Sequence, residues 1–186
     1  VHGKASHAGF APQDGVHAIR IAAAAIAEMA IGRIGDDTTV NVGQIEGGRA
    51  SNIVPDYCEV SGELRSFSHK KALEELAKVE QIFAKEAEKR GGSIEFIRDI
   101  CYQAYKTDEN ESVVKEFQKA CTACGIKSSL IATFGGSDQN KMSEHGIPGI
   151  VMASAMHQVH SCQEYTEVSE MAQVAGIVSE LLQMKE

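Results

Sequence analysis

The order of apolar and polar positions divides this chain into short strands and amphipathic helices. Residues 1–6 read as the end of a strand, leading through the small-residue turn Gly3-Lys4-Ala5-Ser6-His7-Ala8-Gly9. Pro12 suits the first turn of a helix, where its missing N–H is not needed. Val16, Ile19, Ala23, Ile26 and Ala30 then recur at three and four residues, which predicts one helical face closed by Gly32 and Gly35. Residues 38–45 are strand-like, with Val40 and Val42 on one face, and Glu46-Gly47-Gly48-Arg49 is a turn. From Asp56 to Ser66 the alternation is regular, with Cys58, Val60 and Leu64 on one side and Tyr57, Glu59, Ser61, Glu63 and Arg65 on the other. Ser68 can cap a second helix, with Leu73, Leu76, Val79, Phe83 and Ala87 inward and Gly91-Gly92 as its stop. Ile94, Phe96, Arg98 and Ile100 alternate in a further strand.

The order to this point is β-α-β-β-α-β, a split βαβ or ferredoxin-like layer with both helices on one face of an antiparallel sheet. After Tyr105 the rhythm becomes α-β-α-β-α. Asn110 is placed to cap a helix with Val113, Val114, Phe117 and Cys121 inward. Residues 128–134 and 150–153 read as strands, and Thr166 is placed to cap a last helix with Val168, Met171, Val174, Val178 and Leu181 inward. So few strands make about 80 residues look like part of a larger α/β domain.

Composition narrows the function classes. The formal net charge of −8 lacks the basic face that nucleic acid needs. No apolar run approaches the roughly 20 residues of a membrane helix. Five cysteines at irregular spacing suit a reducing cytoplasm better than a disulfide framework. The chain starts in mid-motif without an initiator methionine, as expected of a piece of a longer protein.

Several stretches could carry chemistry. His7 sits in a strand-to-helix connection, where functional side chains are often placed. The segment Met156-His157-Gln158-Val159-His160-Ser161-Cys162-Gln163-Glu164-Tyr165 follows an apolar strand and precedes a helix, the place where open α/β sheets put their sites. Its imidazoles and carboxylate suit zinc, with one histidine as ligand; a polar surface loop accounts for them equally. Gly135-Gly136-Ser137-Asp138 reads as an anion cradle or a plain N-cap turn. Asn52 lies in a loop and Arg65 beside Glu63, where serving a turn and forming an ion pair are the ordinary roles. Cys121-Thr122-Ala123-Cys124 reads as structural, and Glu74-Glu75 as a solvated helical face among lysines.

Taken together, GKASHAG at 3–9, NVGQIEGG at 41–48, ASNIVPD at 50–56, ELRS at 63–66, GGSDQN at 135–140 and HSCQEY at 160–165 resemble one family. It is the zinc-dependent exopeptidases and amidohydrolases that include peptidase T, carboxypeptidase G, aminoacylase and succinyl-diaminopimelate desuccinylase, and the pattern resembles the peptidase T branch most. The resemblance implies a lid, or dimerisation, domain over residues 1–105 and the C-terminal part of a catalytic domain over 106–186. It implies a two-zinc centre, with cobalt or manganese as substitutes, to which His160 contributes. It implies that His7 and Asn52 steady the oxyanion in the partner subunit's site, and that Arg65 and Gly135, Gly136, Ser137 and Asp138 hold a small peptide or N-acyl amino acid. It further implies a homodimer through the lid and hydrolysis of a peptide or N-acyl bond. The family's His-x-Asp and Glu-Glu metal segments have no counterpart here, so the chain alone is expected to be inactive. The rival reading is a non-catalytic ferredoxin-like module whose free sheet edge pairs two chains.

Overall fold

The computed structural model describes residues 1–183, which gather into two compact units, Val1–Cys101 and a second beginning at Tyr102. The first contains β1 (Ser6–His7), a 3-10 turn (Pro12–Asp14), α1 (Ala18–Glu28), β2 (Gly32–Ile34), β3 (Thr38–Gly47), β4 (Ile53–Val54), β5 (Cys58–Ser66) and α2 (His69–Lys89). The second contains α3 (Ser112–Ala123), α4 (Asp138–Glu144), β6 (Met156–His157), β7 (Tyr165–Thr166) and α5 (Val168–Gln183). Among the described residues no helix is long and apolar enough to cross a membrane.

In the first unit β2, β3 and β5 form one antiparallel sheet, and β1 pairs with β4. The N-terminal segment joins the two. Cys58 N–H donates to the Val1 carbonyl at 3.0 Å, Gly3 N–H donates to the Asp56 carbonyl at 2.7 Å, and His2 bridges Tyr57 on one side and Ser93 on the other. The order across the layer is therefore Ser93, residues 1–7, residues 53–66, β3, β2. This is the expected ferredoxin-like order with one added edge strand. Helices α1 and α2 pack on each other and against β5. Ala18, Ala22 and Cys58 are fully buried there, with Val1, Ile19 and Val60 against them. Small side chains on α1 let its backbone approach the sheet closely.

Four local expectations need correction. The helix does not run from Pro12, because Val16 N–H and C=O both bond to Lys4 at 2.9 Å, using groups a helix would need. His17 caps α1 instead, its Nδ1 accepting the Arg20 N–H at 3.2 Å. The buried stripe is Ala18, Ile21, Ala22 and Ala25, while Ala23 is exposed. Gly32 and Gly35 do not close the helix: Gly32 opens β2 and Gly35 follows it, with φ of +94° and +63° that favour glycine. Alternation over residues 94–100 is present, but that stretch forms no ladder beyond the Ser93 bridge.

Strand β3 carries a bulge between Val42 and Gln44, so Gly43 has no partner on β5. Ser68 caps α2 as expected, and the helix ends at Lys89, after which Gly91 takes φ of +74° and Gly92 N–H returns to the Ala87 carbonyl at 2.9 Å. Phe83 and Ala87 are buried, Leu76 and Val79 half-buried, and Leu73 exposed. Glu86 is 1% exposed and pairs with Arg90 and Lys89 one turn on.

In the second unit α3 packs on α5 through Ala120, Cys121 and Ile177, with Phe117, Cys124 and Leu181 around them. Cys121 is thus structural, and burial pushes its thiol pKa up. All five cysteines are free. Asn110 does not cap α3: its N–H bonds to Asp108 Oδ1 at 2.8 Å, a local Asx turn, and Glu111 stands at the cap. Thr166 belongs to β7 rather than a cap. On α5, Val174, Ile177 and Leu181 turn inward, while Val168, Met171 and Val178 are exposed. Residues 128–134 and 150–153 have the apolar content of strands but no ladder partner among the described residues, so they remain without regular structure.

Candidate functional site

Strand β1 delivers His7 to the start of a tight return. The Gly9 and Phe10 N–H groups both donate to His7 Nδ1, at 3.1 and 3.2 Å, and the Ala11 N–H donates to the His7 carbonyl at 3.0 Å. With Nδ1 committed as an acceptor, the neutral imidazole carries its proton on Nε2. The exposed ring stacks on Phe10, centroids 4.3 Å apart and planes at 27°. The β1–β4 pairing sets Ile53 opposite His7, and the Ala8 N–H donates to the Asn52 carbonyl at 3.0 Å. His7 and Asn52 are therefore neighbours, and both are exposed. One imidazole N–H and one amide N–H₂ at a single tip can serve a developing negative charge.

Arg65 lies far from that tip. The β5 stretch from Cys58 to Arg65 alone spans about 23 Å at ~3.3 Å per residue. Its guanidinium forms a two-pronged bond to Glu63 on the same strand, Nε to Oε1 at 2.9 Å and an Nη to Oε2 at 2.8 Å. This hydrogen bond holds the Glu63 carboxyl below its usual range and raises Arg65 above its own. Glu74 and Glu75 pair with Lys70 and Lys78, as a solvated helical face does.

In the second unit Gly135, Gly136, Ser137 and Asp138 lead into α4. The Gly135 N–H is spent on Thr133 Oγ1 at 3.1 Å and the Ser137 N–H on Asn140 Oδ1 at 3.0 Å. A Cβ on Gly136 would stand 2.9 Å from the Tyr102 ring, so the glycine is needed for that contact. Ser137 Oγ is buried without a partner among the described residues.

His160 sits on the loop between β6 and β7, which pair with His157 opposite Tyr165. Ala155, Gln158 and His160 all have left-handed φ, of +61°, +52° and +63°. Non-glycine residues there are strained, and such strain gathers at functional sites. The His160 N–H donates to Glu164 Oε2 at 2.8 Å, which holds the turn. His157 Nε2 bonds Glu170 Oε2 at 2.6 Å and its ring stacks on Tyr165 at 4.8 Å. His157 is thus committed to a carboxylate, whereas the His160 ring makes no hydrogen bond among the described residues. A catalytic zinc needs three protein ligands. Among the described residues no three His, Cys, Asp or Glu side chains gather at one point, so they do not by themselves fit such a centre.

Sequence reasoning missed Phe10 and Tyr102; it offered an ion pair for Arg65 beside Glu63, as a cross-strand pair, and the pair forms along one strand instead. An exposed aromatic inside a turn of small residues was the available signal for Phe10.

Residues 1–91 match the family described as peptidase dimerisation domain. These residues belong to that family. The dimerisation domain and the unit after it together resemble the aminopeptidase PepT of Bacillus cereus, at 37% identity and a TM-score of 0.83 over 98% of this chain and 49% of that one. They also resemble a tripeptidase of Staphylococcus aureus, at 31% identity and a TM-score of 0.89 over the same shares. The YXEP protein of Bacillus subtilis, a dinuclear metal-binding peptidase of the M20 family, shares the fold at 17% identity and a TM-score of 0.67, over 89% of this chain and 45% of that one. The chain spans about half the length of these relatives.

Proposed function

We propose that this chain is the lid and the C-terminal part of the catalytic domain, residues 1–105 and 106–186, of a cytoplasmic, peptidase T-like zinc exopeptidase. The intact enzyme cuts a peptide or N-acyl bond and works as a homodimer through the lid. The observation that carries this reading is likeness to an aminopeptidase and a tripeptidase through both units at above 30% identity. In the intact enzyme two zinc ions, replaceable by cobalt or manganese, form a centre to which His160 gives one imidazole.

The lid's residues have roles of their own. His7 donates from Nε2 and Asn52 from its amide to the oxygen that gains charge as the carbonyl becomes tetrahedral. Arg65 offers a fork that matches a substrate carboxylate, in exchange for Glu63. The 135–138 loop meets the substrate backbone through the Gly136 and Asp138 N–H groups.

The test is a di- and tripeptidase assay on the full-length enzyme and on these 186 residues alone, each with added zinc, cobalt or manganese and with metal analysis. Turnover lost to chelator is expected in the first and none in the second. Two bound zinc ions and turnover in the 186 residues alone would show the ligands to be elsewhere than proposed.

A further inference from the structure

We propose that Phe10 is a positioning residue for His7, fixing the imidazole plane so that its Nε2–H points out of the lid. This deepens the reading of His7 as an oxyanion donor and rests on it. Phe10 is 85% exposed, an unusual setting for a phenyl ring in a turn of small residues. Its backbone and its side chain act on the same imidazole. The Phe10 N–H is one of two donors to Nδ1, which sets the tautomer, and its ring lies 4.3 Å from the imidazole, which steadies the plane. Among the described residues no side chain makes a hydrogen bond to the His7 ring, and its stacked partner is Phe10. The two N–H bonds to Nδ1 set the ring's plane, and the stack lies against one face of it and resists its rocking. A donor serves an oxyanion only when its N–H direction is fixed before the charge appears, since reorienting during the reaction raises the barrier.

The substitutions Phe10→Ala and Phe10→Leu keep the backbone N–H and remove the flat face, whereas Phe10→Tyr and Phe10→Trp keep both. The first measurement is the long-range proton–nitrogen spectrum of the His7 ring in this chain. The native chain, Phe10→Tyr and Phe10→Trp should show the Nε2–H tautomer with ring protons shifted by a neighbouring aromatic. Phe10→Ala and Phe10→Leu should lose that shift and broaden toward an average of orientations. The second is steady-state kinetics on the full-length enzyme. Phe10→Ala and Phe10→Leu should lower kcat roughly tenfold with KM nearly unchanged, part of the hundredfold or more that an oxyanion donor supplies; Phe10→Tyr and Phe10→Trp should restore it. His7 ring shifts unaltered in Phe10→Ala, or turnover as good with leucine as with tyrosine, overturns the proposal. Altered ring shifts with unaltered turnover would keep the stack and remove His7 from the oxyanion, a failure of the underlying reading rather than of the positioning.

Discussion

A guanidinium held by its own neighbour is not idle if a ligand can take the neighbour's place. Glu63 occupies both prongs of Arg65 in the free lid, yet the pair is half exposed, with side-chain accessibilities of 55% and 43%. Exposed pairs of this kind contribute about 0–1 kcal/mol, so exchanging Glu63 for a substrate carboxylate costs little. Arg65→Ala is expected to lower kcat/KM by roughly two to three orders of magnitude in the full-length enzyme, the scale of a lost charged hydrogen bond in a closed site. Glu63→Gln removes the competitor and should lower KM. If both variants match the parent enzyme, the arginine is only a surface partner of Glu63. The residue types at His7, Asn52 and Arg65 were readable from sequence. The ion pair of Arg65 beside Glu63 was readable too, but as a cross-strand one; that it closes along one strand was not, because a side chain two positions along a strand has several rotamers and only the folded sheet selects one.

Helix α2 shows how an element can carry a pH dependence. Burial of Glu86 pushes its carboxyl pKa up, but the hydrogen bond and charge of Arg90, with Lys89 behind it, outweigh that and hold it below the ordinary value. A carboxylate with a lowered folded pKa stabilises the fold above its unfolded value and loses that contribution as pH falls through the folded one. Urea midpoints of the native chain should therefore decline as the pH drops below about 4.5, and Glu86→Gln should flatten the decline while lowering the midpoint at pH 7. A parallel decline in both would place the acid sensitivity elsewhere. On α1, Ile21 is fully buried, and Ile21→Ala should cost about 2–5 kcal/mol, read as a lower midpoint at unchanged slope. Periodicity revealed the strip on α2 and the faces of β5 because each buries one side against the same layer. It misplaced the stripe on α1, where alanines at 18, 22 and 25 weigh little on any hydrophobic count yet lie deepest. It also promised strands at 94–100, 128–134 and 150–153. Alternation fixes which way side chains point, whereas a ladder needs a second chain segment alongside.

Across the whole molecule, the separation of the His7 end from the Arg65 end of the first unit bears on the proposed reaction. A tripeptide extends about 10 Å, less than half the ~23 Å of β5 between Cys58 and Arg65. One substrate cannot touch His7 and Arg65 of the same lid. Two lids resolve this if each site takes its arginine from one protomer and its His7 from the other. Mixing full-length His7→Ala with full-length His160→Ala should then restore activity, because one of the two sites in each heterodimer has both groups intact. No recovery despite demonstrated subunit exchange would count against action in trans. The distance also gives the bulge in β3 a meaning. Val40 and Val42 share a face with Leu64 and Gly62, and beyond the bulge Ile45 and Gly47 meet Val60 and Cys58, so the positions on that face change from even to odd at Gly43. One unpaired glycine thus re-phases the strand between the arginine end and the histidine end. Deleting it would either swap the sheet faces of Ile45 and Glu46 or draw the loop bearing Asn52 along the edge by one residue, about 3.3 Å. A single codon would then carry the asparagine out of register with His7, and the two donors of the proposed oxyanion site would be pulled apart.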